Sequence, residues 1–273
     1  MLPLILVVIA TLLLIAWLAG QPFYRSYRRN QIRKRAFPDA WRDILRQRVP
    51  YFRRLPADLQ LQLKRHIQVF IAEKIFVGCN GIVVTDEMRI TIAAQACLLI
   101  LNRPTDYYPS LRQILIYPGP FIVNKTETDH AGVIHQRRQV LAGESWSQGQ
   151  VILSWEDTVE GAAAVDDGRN VVIHEFAHQL DIETGAANGA PALRDRNRYV
   201  HWSNVLGNEF ATLQQRAQMQ EHSLLSHYGA TNPAEFFAVA SEVFFEQPHL
   251  LHVESPSLYE QLRAFYCINP IIW

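Results

Sequence analysis

Cysteine is scarce: three residues in 273, Cys79, Cys97 and Cys267, odd in number, far apart and each in apolar surroundings. Such a set excludes a disulfide framework and a cysteine-ligated zinc site, and it suits reduced thiols in a cytosolic environment. Net charge is absent as well, with Lys+Arg and Asp+Glu equal at 26 each, so overall charge points to no nucleic-acid partner. Internal repeats and low-complexity tracts are missing. What remains is a chain with 49% hydrophobic residues, enough to bury a full core as one or two domains.

The charge is unevenly placed. Residues 2–19 form an apolar run without a charge, interrupted only by Pro3 and Thr11, and its length suffices for one bilayer crossing. Arg25, Arg28, Arg29, Arg33, Lys34 and Arg35 follow, with no acidic residue before Asp39. The positive-inside rule then keeps the rest of the chain in the cytoplasm and the short N-terminus outside. A cleaved signal peptide fits less well, lacking a basic start and a small-x-small cleavage site. A buried soluble helix would have nothing obvious to pack against. The expected layout is a transmembrane anchor at 1–20, a basic juxtamembrane stem at 21–36 that touches lipid headgroups, and one domain at 37–273 on a bacterial inner membrane.

Within that domain, residues 59–74 have helical spacing, residues 76–86 read as a loop with a short extended piece at 82–84, and Asp86 caps a second helix reaching about Asn102. Strands are expected at 114–117, 121–123 and 151–155, with another at or ending near His135, and a turn at 143–146. The 151–155 strand suits the edge that lines a peptide cleft.

The segment from Asn170 to Asp181 carries His174-Glu175-Phe176-Ala177-His178. On a helix, two imidazoles four residues apart share a face and reach one metal ion, and Glu175 beside them can take a proton from water. Asp166-Asp167-Gly168 supplies start signals, and Gly185 with Asn188-Gly189 supplies stops. The competing reading is a buried helix whose histidines only hydrogen-bond. A catalytic zinc needs a third protein ligand, and no histidine follows at the short spacing of the longer zincin motif. Glu235 and Glu242, seven apart on a Phe-rich helix that starts at Asn232-Pro233, are the candidates. By position alone Glu235 stands equally as a capping-box acid, and Glu242 as half of an ordinary salt bridge.

These segments together resemble the Mlc titration factor A family of zinc-dependent peptidases. The likeness covers most of residues 37–268 and rests on Ile116-Tyr-Pro-Gly-Pro-Phe121, Gly143-Glu-Ser-Trp-Ser-Gln-Gly149, the 174–181 stretch and Asn232-Pro-Ala-Glu-Phe-Phe-Ala-Val-Ala-Ser-Glu242. The resemblance implies an α+β, zincin-like fold related to the anthrax lethal factor catalytic domain, and aminopeptidase-like hydrolysis of peptide or protein substrates. It implies Zn2+ held by His174, His178 and Glu235, with Glu175 as base. It further implies that His135 reaches the metal in a resting state and that Tyr228 stabilises an oxyanion, while a core or surface Tyr remains the plain alternative. Glu242 and Asp181 are expected to support the ligands from behind. Enterobacterial members bind the repressor Mlc, so a transcriptional repressor is a candidate partner; the anchor and basic stem set this chain apart from those soluble members.

Overall fold

The computed structural model describes residues 2–128, 134–141, 143–146, 149–164 and 166–273. α1 (Leu2–Arg33) is one continuous helix whose apolar residues, such as Leu6, Leu13 and Trp17, are exposed, whereas Ile32 at its far end enters the core. α2 (Asp39–Arg48) and α3 (Tyr51–Arg54) lead into α4 (Ala57–Glu73), β1 (Ile75–Gly78) and α5 (Asp86–Leu98). β2 (Gln113–Tyr117), the hairpin of β3 (Phe121–Thr128) and β4 (Ile134–Leu141), β5 (Gly143–Trp146) and β6 (Gln150–Ser154) follow. α6 (Trp155–Ala163), α7 (Val171–Asp181), α8 (Arg196–Met219), α9 (Pro233–Glu246), α10 (Pro248–Glu254) and α11 (Pro256–Tyr266) complete the chain.

The fold is helix-rich around a small sheet of order β1-β2-β6-β5. β1, β2 and β6 are parallel, and β5 runs antiparallel to β6 at the edge. β6 is buried from Val151 to Ser154, as an interior strand between two partners must be. The edge expected at 151–155 therefore belongs to β5 instead. The turn expected at 143–146 is that strand, and the chain reverses after it, with Gly149 at φ +82. The extended piece expected at 82–84 is loop, and the strand lies earlier, at β1. Thr85, one residue before Asp86, caps α5 by accepting from the Met88 amide. Of the cysteines, Cys97 is buried, Cys79 half-buried and Cys267 exposed, against the apolar setting expected for the last.

The end of α1 is fastened to the domain. The Arg29 guanidinium donates to both Glu73 carboxylate oxygens at 2.8 Å and to Asp106 at 2.5 Å, and Arg33 donates to the Tyr107 hydroxyl at 2.8 Å. Tyr107 and Tyr108 both sit at φ +57, a left-handed conformation that costs a non-glycine residue about 1–2 kcal/mol. The buried Lys74 ammonium holds this loop by donating to the Tyr108 and Leu111 carbonyls at 2.7 Å. Tyr108 then packs its ring 4.9 Å from Phe176 of α7. Replacing Arg29 by Ala strands the partly buried Glu73 without its cation and is expected to cost on the order of 3 kcal/mol, the lower end for a broken buried pair. Urea unfolding reads this as a lower midpoint at constant slope; an unshifted midpoint would show that the pair contributes nothing net.

Candidate metal centre and its cleft

α7 starts at Asn170, whose side chain accepts from the Ile173 amide at 3.0 Å and donates to Gln95 and to the Gly161 carbonyl at 2.8 and 2.9 Å. The start signals expected at 166–168 lie upstream; Gly168 at φ +76 turns the chain there, and the cap falls on the extended Asn170. At the other end α7 passes into a single 3-10 turn and stops at Gly185, at φ +103, where the stop was expected. Val172, Ile173, Phe176, Ala177 and Leu180 bury the inner face, leaving His174 and His178 toward the cleft.

The two imidazoles stand with Nε2 atoms 3.2 Å apart. α9 opens with Asn232 as cap and Pro233 as first residue, as read from the sequence, and its Glu235 brings Oε2 to 3.0 Å from His174 Nε2 and 3.3 Å from His178 Nε2. A tetrahedral ion with bonds of about 2.0–2.1 Å sets its ligand atoms about 3.3 Å apart, so this triangle of two nitrogens and one oxygen fits such an ion. The capping-box reading of Glu235 fails at the side chain: its backbone amide donates to Asn232 at 3.0 Å, while its carboxylate turns to the histidines. Burial works against ionisation of Glu235, yet hydrogen bonds from both imidazoles hold it far below the usual carboxylate range. Burial likewise works against a charged His174, and Glu242 and Glu235 outweigh it, raising His174 well above an ordinary imidazole.

Glu242, two turns along α9, faces His174 Nδ1 at 2.7 Å and accepts the Asn170 amide at 2.6 Å. One carboxylate thereby leaves Nε2 of His174 turned toward Glu235 and His178 and clamps the start of α7 to α9. Glu175 is buried and does not join the triangle; its side chain lies against Gly143 of β5. Tyr228 stands at the cleft mouth, 44% exposed, with its ring 6.0 Å from His174. The Asp181 carboxylate accepts the Gly189 amide at 2.7 Å and ties the 185–190 loop to α7. His135 lies on β4 opposite Glu127, and its side chain is outside the described residues. A cavity of ≈ 410 Å³ opens beside the triangle, bounded by Gly143, Glu160, Arg169, His174, Glu175 and Tyr228.

Gly143 and Asn170 stood inside the motifs read from the sequence, but that reading gave neither a role in the site. A Cβ on Gly143 would sit 2.6 Å from a Val171 methyl and 2.7 Å from a Glu175 oxygen. Gly143→Ala is therefore expected to push Glu175 or β5 aside and lower turnover about tenfold or more, with metal content kept; steady-state rates at equal metal loading test this. A Glycine in a strand where two elements touch is a known marker of close approach, and that is the signal that could have found it.

A model of the family described as glucose-regulated metallo-peptidase M90 matches residues 24–267. The Synechocystis protein slr2042 is 40% identical over 273 residues, covering 100% of this chain and 99% of its own length. Mlc titration factor A of Escherichia fergusonii is 33% identical over 235 residues, 85% of this chain and 87% of that protein. The Yersinia pestis protein of the same name is 32% identical over 234 residues, 85% of each. With a family model spanning nearly the whole chain and relatives above 30% identity, the protein belongs to the M90 metallopeptidases, the family of Mlc titration factor A.

Proposed function

We propose that the chain is a zinc-dependent peptidase with a zincin-like α+β domain, held by α1 on the cytoplasmic face of a bacterial inner membrane. The donor triangle of His174, His178 and Glu235, backed by Glu242 and open to a cavity beside Glu175, carries this reading. For the membrane, the support is α1 itself: its 3–33 segment has mean hydropathy 2.6 in its most apolar window, none of it buried, followed by the basic residues of its second half.

His174, His178 and Glu235 would hold zinc, which when bound polarises the scissile carbonyl and acidifies a water. Glu175 accepts the proton of the attacking water and delivers it to the leaving amine. Tyr228, at the mouth, donates its hydroxyl to the developing oxyanion. β5 offers its outer edge to an extended substrate, which adds as a strand and lays its scissile bond beside Glu175. Aminopeptidase-like hydrolysis requires a free substrate N-terminus. The test uses the full-length chain in detergent with paired fluorogenic peptides, one free and one acetylated. A chelator is expected to stop cleavage of the free peptide and zinc to restore it. Cleavage that persists after chelation would end the metallopeptidase reading, and equal cleavage of the acetylated peptide would replace the aminopeptidase by an endopeptidase.

A second reading has its own support in the name Mlc titration factor A borne by the Escherichia and Yersinia relatives. In it the chain sequesters a transcriptional repressor and the metal site is secondary. Binding of a repressor by a His174→Ala/His178→Ala variant as tightly as by wild type would support it.

A further inference from the structure

Away from the donor triangle, a further cavity of ≈ 250 Å³ is lined by Arg103, Arg194, Arg198, Glu183 and Phe265, among others. Its residues come from distant parts of the chain. Arg103 follows α5, Glu183 lies in the 3-10 turn after α7, Arg194 precedes α8, Arg198 belongs to α8, and Phe265 sits near the end of α11.

Arg103 shapes this cavity. Its guanidinium carbon lies 3.8 Å from the centre of the Phe265 ring. Stacking satisfies the flat face of a guanidinium and leaves its N–H groups, which lie in the plane, to find acceptors at the edge. Nη1 is buried and has no hydrogen-bond partner among the described residues. A buried charged donor left unmade is costly, so such a nitrogen marks a place where an acceptor belongs. Burial also lowers the Arg103 pKa, and Tyr266 and Glu183 only partly offset this. Three guanidinium groups less one carboxylate leave two positive charges on the wall.

We propose that this cavity binds a phosphate group, as the inorganic ion or on a small phosphorylated molecule, with Arg103 as the central ligand and Arg194 and Arg198 closing over it. A phosphate monoester carries about −1.5 to −2 charges near neutral pH, matching the two uncompensated cations, whereas a single carboxylate would leave one unmatched. Its oxygens accept paired N–H bonds from arginine forks. The volume admits a phosphate with a short substituent and is small for a folded partner or a peptide strand. The site shares no residue with the donor triangle, so it stands independently of the peptidase reading.

The test uses the full-length protein in detergent, with thermal unfolding and titration calorimetry against inorganic phosphate, glycerol 3-phosphate and chloride at equal ionic strength. Phosphate and glycerol 3-phosphate are expected to raise Tm saturably where chloride does not. Arg194→Gln/Arg198→Gln, which alters the cavity wall outside the core, should weaken binding about tenfold or more, and Arg103→Lys should weaken it while keeping the charge. Tighter binding of glycerol 3-phosphate identifies a phosphorylated small molecule as the occupant; tighter binding of inorganic phosphate identifies the free ion. Equal responses to phosphate and chloride, or wild-type affinity in both variants, overturn the site.

Discussion

Glu175→Gln is expected to abolish measurable peptide hydrolysis while the purified protein keeps its metal. Glu175 lies outside the triangle formed by His174, His178 and Glu235, so the exchange removes no ligand. Gln has nearly the same volume, and the side chain is packed against Gly143 and buried, so the local structure should be retained. What disappears is the ability to accept a proton, and general-base catalysis contributes about 10²–10⁴-fold to rate. The measurement is turnover at matched metal content. Turnover within threefold of wild type would remove Glu175 from the mechanism and leave the cleft in need of another base. Comparison with Gly143→Ala separates chemistry from placement: the amide variant loses the base in its proper position, and the alanine variant keeps the base but displaces it.

The parts of this site that follow a local pattern were legible in the sequence. His174 and His178 share a helix face because four residues make about one turn, and the flanking apolar residues say which face is buried. Asn232-Pro233 announces the start of α9 through a capping side chain and a residue with no amide to waste. Glu235 was undecided by position, since a third-residue acid after a cap serves either role; only the path of its carboxylate decides, and that depends on how α9 packs on α7. The partner of Asp181 was hidden for the same reason. Asp181 lies in the motif stretch, and its carboxylate points to the Gly189 amide, a partner that loop packing creates. The strand at 143–146 reads as a turn because Gly and Ser dominate turns; it pairs with β6 as a local hairpin, and the true reversal falls a few residues later, near Gly149. The join between α1 and the domain through Arg29, Glu73 and Asp106 is invisible in the sequence: cations there satisfy a topology rule whether or not they find acids.

Two carboxylates on α9 touch His174, and their removal should have unequal consequences. Glu235 approaches Nε2 of His174 and Nε2 of His178, the two atoms that converge, so Glu235→Ala deletes a corner of the donor triangle proposed to hold the ion. The expected result is protein purified with little bound metal and without activity, since two imidazoles alone hold a catalytic ion poorly. Glu242 faces Nδ1, on the side of the ring away from the donor triangle, and Glu242→Gln should lower metal affinity by about 10–100-fold through loss of ring orientation and basicity. The Gln oxygen can still accept the Asn170 amide, so α7 should remain capped and the fold intact. Competition for zinc against a chelator of known affinity ranks the two variants. If Glu242→Gln loses metal as completely as Glu235→Ala, the ranking of the two acids fails and Glu242 is as necessary to metal binding as a ligand; if it alone loses metal, the two acids exchange roles.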